Sequence, residues 1–117
     1  MNLEYFGEKI FLDEVEASQQ VWVARNDLHM VYTEELDRTG FSLPIWSNEE
    51  RVIAYLRNAL LIGPKYEPHA LPVGIFVNAW LSDKQKGISE LLINPDGKST
   101  RVLALTPEEF QASQGVR

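Results

Sequence analysis

Apolar Leu3, Phe6, Ile10 and Ala17 recur at helical spacing with Glu4, Glu8, Asp13 and Glu14 between them. This predicts an amphipathic first helix with an acidic outer face. From Gln20 the period shortens to that of a strand. Val21-Trp22-Val23-Ala24 and Met30-Val31-Tyr32-Thr33 are rich in β-formers and flank the turn residues Asn26-Asp27, which predicts a β-hairpin. After the break at Thr39-Gly40, apolar Phe41, Leu43 and Ile45 alternate with their neighbours and lead into Trp46, a third strand. Pro44 inside it points to a sheet edge or a bulge, because proline has no N–H to give to the ladder.

Ser47-Asn48-Glu49-Glu50 matches a capping box, with Ser47 as cap and Glu50 reaching back, so a second helix is expected from there. Val52, Ile53, Leu56, Ala59 and Leu60 supply its buried stripe, and Gly63-Pro64 stops it. The 63–69 stretch reads as a loop. Pro72 at a first helical position, with Ile75, Phe76, Ala79 and Trp80 after it, predicts a third helix closing near Gly87. Strands are expected over 88–94 and 101–105, joined as a hairpin through Asn94-Pro95-Asp96-Gly97, with proline second and glycine fourth in the turn. Thr106-Pro107-Glu108-Glu109 combines a threonine cap, a first-turn proline and a glutamate at the third helical position, the start of a short last helix carrying Phe110. The element order is α-β-β-β-α-α-β-β-α. Strands and helices do not alternate regularly, so the expected fold is α+β: a mainly antiparallel sheet of about five strands in two hairpin units, flanked by about four helices.

Length and composition narrow the picture further. A chain of 117 residues without a Gly/Ser/Pro-rich linker or internal repeat is expected to form one domain, residues 1–117. Eleven Lys and Arg against 17 Asp and Glu leave a formal charge of -6, and the cations are scattered singly. Affinity for a phosphate backbone requires clustered cations, so nucleic acid is not expected as a partner. Zero cysteines exclude disulfides and thiolate chemistry and suit a reducing compartment. With no signal-peptide pattern and no apolar run near the roughly 20 residues of a membrane span, a cytoplasmic protein without membrane contact is expected.

Val21-Trp22-Val23, Leu43-Pro44-Ile45-Trp46, Phe76 with Ala79-Trp80-Leu81, Leu92-Ile93-Asn94-Pro95-Asp96-Gly97 and Leu105-Thr106-Pro107-Glu108-Glu109-Phe110 follow in that order through nearly the whole chain. Together they resemble the small bacterial family known as domain of unknown function 2750. The Asn-Pro-Asp-Gly hairpin and the Thr-Pro-Glu-Glu helix start are also distantly similar to the N-terminal domain of SseB, the enhanced serine sensitivity protein. These motifs consist of Trp, Pro and Gly in structural roles, so the resemblance implies a shared fold and carries no catalytic residues.

A search for chemistry is mostly exclusion. His29 and His69 lack ligand spacing, and no metal or other cofactor is expected. The pairs Glu49-Glu50 and Glu108-Glu109 sit in helix first turns, where negative charge suits the helix dipole, and Glu34-Glu35 ends a strand, so none is a catalytic pair. No nucleophile elbow or phosphate loop is present, and no catalytic residue is assigned. Two candidate binding regions remain. If helices cover only one side of the sheet, Trp22, Tyr32 and Trp46 form an exposed aromatic strip suited to another protein; if both sides are covered, these residues are core. Beside the 63–69 loop, Arg57, Tyr66 and His69 are candidates for a small-molecule pocket. The leading expectation is a non-enzymatic protein-interaction module, an adaptor or an immunity-like partner of a toxin, as monomer or homodimer. The alternative is a small-molecule-binding domain or weak enzyme with its pocket at that loop.

Overall fold

The computed structural model describes residues 3–36, 40–83, 87–99 and 102–114. Helix α1 (Leu3–Ser18) leads into strand β1 (Gln20–Asn26), then β2 (Glu34–Leu36), β3 (Gly40–Ile45) and helix α2 (Glu49–Asn58). A 3-10 turn (Gly63–Lys65) precedes β4 (Tyr66–Pro72), and the short helix α3 (Val73–Ile75) continues as a π-helix (Phe76–Leu81). Strands β5 (Ile88–Ile93) and β6 (Leu103–Leu105) and helix α4 (Pro107–Ser113) complete the order. The fold is α+β, with six strands among the described residues where about five were expected.

The strands form two sheets, β1-β4 and β2-β3-β5-β6. The closing hairpin β5-β6 is antiparallel as expected, its predicted start at Arg101 lying outside the described residues. At the centre of the larger sheet, however, β3 and β5 run parallel, because α2, β4 and the helical segment after it form the crossover between them.

The first predicted hairpin is the main correction. Residues 30–33 contribute only an isolated bridge, Arg25 with Val31, while β1 pairs over all seven of its residues with β4, from Gln20 opposite Pro72 to Asn26 opposite Tyr66. The stretch read as a loop and a helix start is therefore β1's antiparallel partner. Its two prolines, Pro68 and Pro72, masked it as a strand, and both are tolerated because β4 lies at the sheet edge.

Pro44 likewise sits where its ring does no harm. The Ile45 carbonyl accepts from Asn94 on the β5 side, so the alternating backbone turns Pro44 to the opposite side, where β2 pairs only with residues 40–42. That vacated side is taken further on by Trp46, which exchanges two backbone hydrogen bonds of 2.8 and 2.9 Å with Trp22 and so joins the two sheets.

Both faces of the β1-β4 ribbon are covered. Val21, Val23 and Leu71 join Phe11, Val15, Leu43, Ile45, Phe76, Leu91 and Phe110 in the main core. Trp22, Ala24 and Tyr66 point the other way into a second core with Trp46, Val52 and Tyr55, roofed by α2. Fully burying each such large side chain contributes about 1.5–3 kcal/mol.

Helix α1 presents a different stripe from the predicted one. Phe11 and Val15 are buried, while Phe6 and Ile10 are 39% and 46% exposed and Ala17 is exposed; the Leu3 side chain lies outside the described residues. The helix carries two apolar stripes about 100° apart, and packing against Phe110 at 6.0 Å selects the one with Phe11. In α2 the cap is Asn48, whose side chain accepts from the Arg51 N–H, and Ser47 is used elsewhere. The helix ends at Asn58, so Leu60 is 81% exposed and not part of a buried stripe. Gly63 then lets the chain double back: a Cβ there would stand 2.0 Å from the Leu56 carbonyl oxygen. In the third helical segment Phe76 and Val77 are buried, whereas the predicted Ile75 and Ala79 are exposed, the wider π turn having shifted the inward face.

The Asn94-Pro95-Asp96-Gly97 loop is tied to α2 as well as to its own strands. The Asp96 carbonyl accepts from the Asn58 side chain at 2.8 Å, and the Asp96 carboxylate accepts from the Lys98 and Ser99 N–H groups, both at 2.8 Å. Gly97 has φ +79°, and a Cβ would meet the Asn58 Cβ at 2.8 Å. At α4 the capping box is complete, with Thr106 Oγ1 accepting from Glu109 N–H and the Glu109 carboxylate accepting from Thr106 N–H. Gly97→Ala is expected to cost about 1–3 kcal/mol from positive-φ strain and the close contact. Thr106→Ala should cost about 1 kcal/mol from the lost cap. Urea unfolding midpoints check both, and an unchanged midpoint for Gly97→Ala would refute the structural role given to this loop.

Candidate functional site

Three layers of residues surround α2: one closed and polar, one aromatic, and one open and apolar. The closed layer is built on Glu14. Its carboxylate accepts from Arg51 Nε at 2.8 Å, from Arg51 Nη2 at 3.1 Å, from the Asn48 side chain at 3.1 Å and from the Ser47 hydroxyl. Ser47 is itself buried, and its N–H donates to Asn94 Oδ1 at 3.0 Å. Arg51 and the neighbouring donors hold the Glu14 carboxyl below its usual range against a smaller desolvation effect, and Glu14 in turn raises Arg51. A serine beside a glutamate could suggest a nucleophile, but this hydroxyl is sealed from solvent and spends its proton on Glu14. The cluster locks α1, the α2 N-terminus and the Asn94 loop together.

The aromatic layer lies behind the ribbon. Trp46 is fully buried, stacked obliquely on Tyr55 at 5.2 Å, and its indole N–H donates to the Pro95 carbonyl at 2.8 Å. Tyr32 packs edge-on against Tyr66 at 5.4 Å, and burial pushes its hydroxyl well above the ordinary tyrosine range, with Tyr55 and Glu34 adding to the shift. Trp22 and Tyr32 are half-buried. The structure therefore brings the candidate strip of Trp22, Tyr32 and Trp46 together, but as the wall of the second core, with Trp46 withdrawn from any surface.

The open layer follows the chain from the α2 C-terminus into β4. An open cleft of about 410 Å³ is lined chiefly by apolar Ile53, Leu56, Leu60, Pro64 and Pro68, with Arg57 and Tyr66 at its wall. Of the three predicted pocket residues, Arg57 and Tyr66 thus meet there. His69 does not line it: the alternation of β4 turns it to the opposite face of the ribbon. Burial, helped by Arg25 and His29, lowers the His69 pKa from its ordinary value. Leu60, which lines the cleft, and Leu61, next to it in the chain, are 81% and 89% exposed. A second cleft of about 500 Å³ shares Pro64, Tyr66 and Glu67 with the first and extends to Arg25 and Lys65.

The sequence reading places Leu60 in a buried stripe and gives no site role to Leu61, Arg25 or Lys65. The available signals were the apolar Leu60-Leu61-Ile62 run just ahead of a Gly-Pro stop and a lone arginine closing the strand Val21-Trp22-Val23-Ala24. Among the described residues, no cluster of three or more His, Asp or Glu side chains is placed to hold a metal ion, and no helix is long and apolar enough to cross a membrane.

Residues 9–113 match the family model described as protein of unknown function DUF2750, and the chain belongs to that family. No curated protein matches. Among solved structures the fold is similar to Anabaena Tic22, described as protein transport, with 16% identity and a TM-score of 0.48 over 80% of this chain. The chain spans about half (46%) of that protein's length.

The Glu14 cluster carries a pH prediction. With the folded pKa below the unfolded value of 4.5, its stabilisation is present at neutral pH and is lost as pH falls through the lower folded value. Asp96, held at about 2 by the Ser99 and Lys98 N–H donors, acts in the same direction at still lower pH. The drop in melting temperature between neutral pH and about pH 3 should therefore be smaller in Glu14→Gln than in the wild type. Thermal melts across that range check it, and parallel curves would contradict it.

Proposed function

We propose that this member of the DUF2750 family is a non-enzymatic protein-binding module whose partner docks on the surface between the end of α2 and the start of β4. The observation that carries this reading is an apolar cleft of about 410 Å³ lined by Leu60, with Leu60 and its chain neighbour Leu61 81% and 89% exposed. Two adjacent leucines held almost wholly in water have no role in the core. They supply the central apolar anchors that protein interfaces use.

The charge around the cleft describes the occupant. The chain has a net charge of -6, yet two cations stand in this region: Arg57 lines this cleft beside Glu67, and Lys65 lines the adjoining one. A segment of another protein with apolar side chains and a neighbouring acidic group complements both features. The closed Glu14-Ser47 cluster supports a non-catalytic reading, since its one hydroxyl is buried and fully bonded. A small-ligand site at the same clefts is the second reading, favoured by their volumes of about 410 and 500 Å³, within the range that small molecules occupy.

Leu60→Asp and Leu61→Asp should leave the melting temperature nearly unchanged and weaken the partner at least tenfold, which corresponds to about 1.4 kcal/mol. Amine cross-linking in native extract, read by mass spectrometry, should join the partner to Lys65 and not to Lys9, with the product lost in both variants. Partner cross-links at Lys9 that survive both substitutions would refute this surface. A dimeric mass for the isolated wild type that becomes monomeric in either variant would replace the foreign segment with a second copy of the chain.

A further inference from the structure

We propose that the second cleft, at the open end of the β1-β4 ribbon, is a carboxylate-binding site centred on Arg25. Arg25, next to last in β1, lies directly opposite Glu67 of β4, yet it forms no ion pair or side-chain hydrogen bond with a described residue, and its Nε is buried with no acceptor. A buried guanidinium N–H without a partner is costly, because the group has lost its water and gained nothing in exchange. Arg25 also lines a cleft of about 500 Å³, which gives an acceptor access to its side chain.

The lining indicates which acceptor fits. A guanidinium presents planar, paired N–H donors that match the two oxygens of a carboxylate, and the Lys65 ammonium adds a second cation. Asp27 and Glu67 line the same cleft and oppose a ligand with several negative charges, so a monoanionic carboxylate is favoured over a phosphate. Asn26 and Tyr66 add polar groups for orientation. Because this cleft shares Pro64, Tyr66 and Glu67 with the apolar one, a peptide can seat an apolar side chain in one and its carboxylate in the other. Assigning the carboxylate to a peptide rests on the docking reading above; the site itself does not.

The test uses the full ¹⁵N-labelled chain and three probes: N-acetyl-leucyl-leucine with a free carboxylate, the same dipeptide as its amide, and acetate. Following the Arg25 Nε–H resonance and the Asn26 and Tyr66 amides, the acid is expected to produce saturable shifts with at least tenfold higher affinity than the amide. Arg25→Gln should abolish this difference and Lys65→Gln should reduce it, so the second variant decides the matter if the first fails to fold. Acetate binding as tightly as the dipeptide acid would assign the site to free organic acids, and tighter dipeptide binding to a peptide terminus. Equal shifts from acid and amide, or none from either up to about 10 mM, where even a millimolar ligand saturates, would overturn the proposal. If Leu60→Asp loses the partner but keeps the response to the acid, the two clefts act separately. If the acid has no effect while partner capture still depends on Leu60, only the carboxylate site fails.

Discussion

Trp46 makes the connection on which the rest of the molecule depends. Its backbone exchanges two hydrogen bonds with Trp22, which is the direct bridge between the two sheets, and its indole N–H is held by the Pro95 carbonyl. Its ring is the largest fully buried side chain of the second core. One residue therefore fixes where the β1-β4 ribbon lies, where the Asn94 loop lies and what α2 packs on. A polar N–H buried in this way has to be satisfied, and the loop carbonyl that satisfies it belongs to a turn whose shape is set by Pro95 and by Gly97 at φ +79°.

From that anchor the two sides of α2 acquire different characters. Its N-terminal end is closed by the Glu14, Ser47, Asn48, Arg51 and Asn94 network, in which every member has partners. Its C-terminal end is left open. The helix stops at Asn58, the chain turns back through Gly63, and the intervening leucines stand in solvent beside an apolar cleft. Buried polar groups are thus satisfied at one end of the helix, and exposed apolar side chains stand at the other, where the proposed docking surface lies. Arg25, with a buried Nε that no described residue accepts from, belongs to that same open end.

The sequence by itself determined what depends on neighbours along the chain. The α+β class, the β5-β6 hairpin, the turn at Asn94-Pro95-Asp96-Gly97 and the Thr106 capping box were all legible, because proline, glycine and capping side chains act through bonds to residues within three or four positions. Pro44 was read as placing its strand at a sheet edge or a bulge, but β3 is an inner strand, and the proline is tolerated because β2 stops short of it. The interaction and pocket candidates were legible only as residue types: Arg57 and Tyr66 meet at a cleft, while His69 lies on the other face of the same strand.

The tertiary structure alone decided the long-range choices. That β1 pairs with β4 and not with residues 30–33 follows from burial of both ribbon faces, Val21 and Val23 toward one core and Trp22 toward the other, and no local pattern announces a partner some 46 residues away with two prolines in it. The same holds for the helices. Either apolar stripe of α1 satisfies helical spacing, and only contact with Phe110 selects Phe11 and Val15. Whether Leu60 continues a buried stripe or stands in water depends on where α2 stops. That is set by the backbone of Gly63 passing under Leu56, a contact made possible by the folded path of the chain. Local chemistry writes turns and caps into the sequence, whereas the choice among equivalent apolar faces is made by the surfaces that end up opposite them.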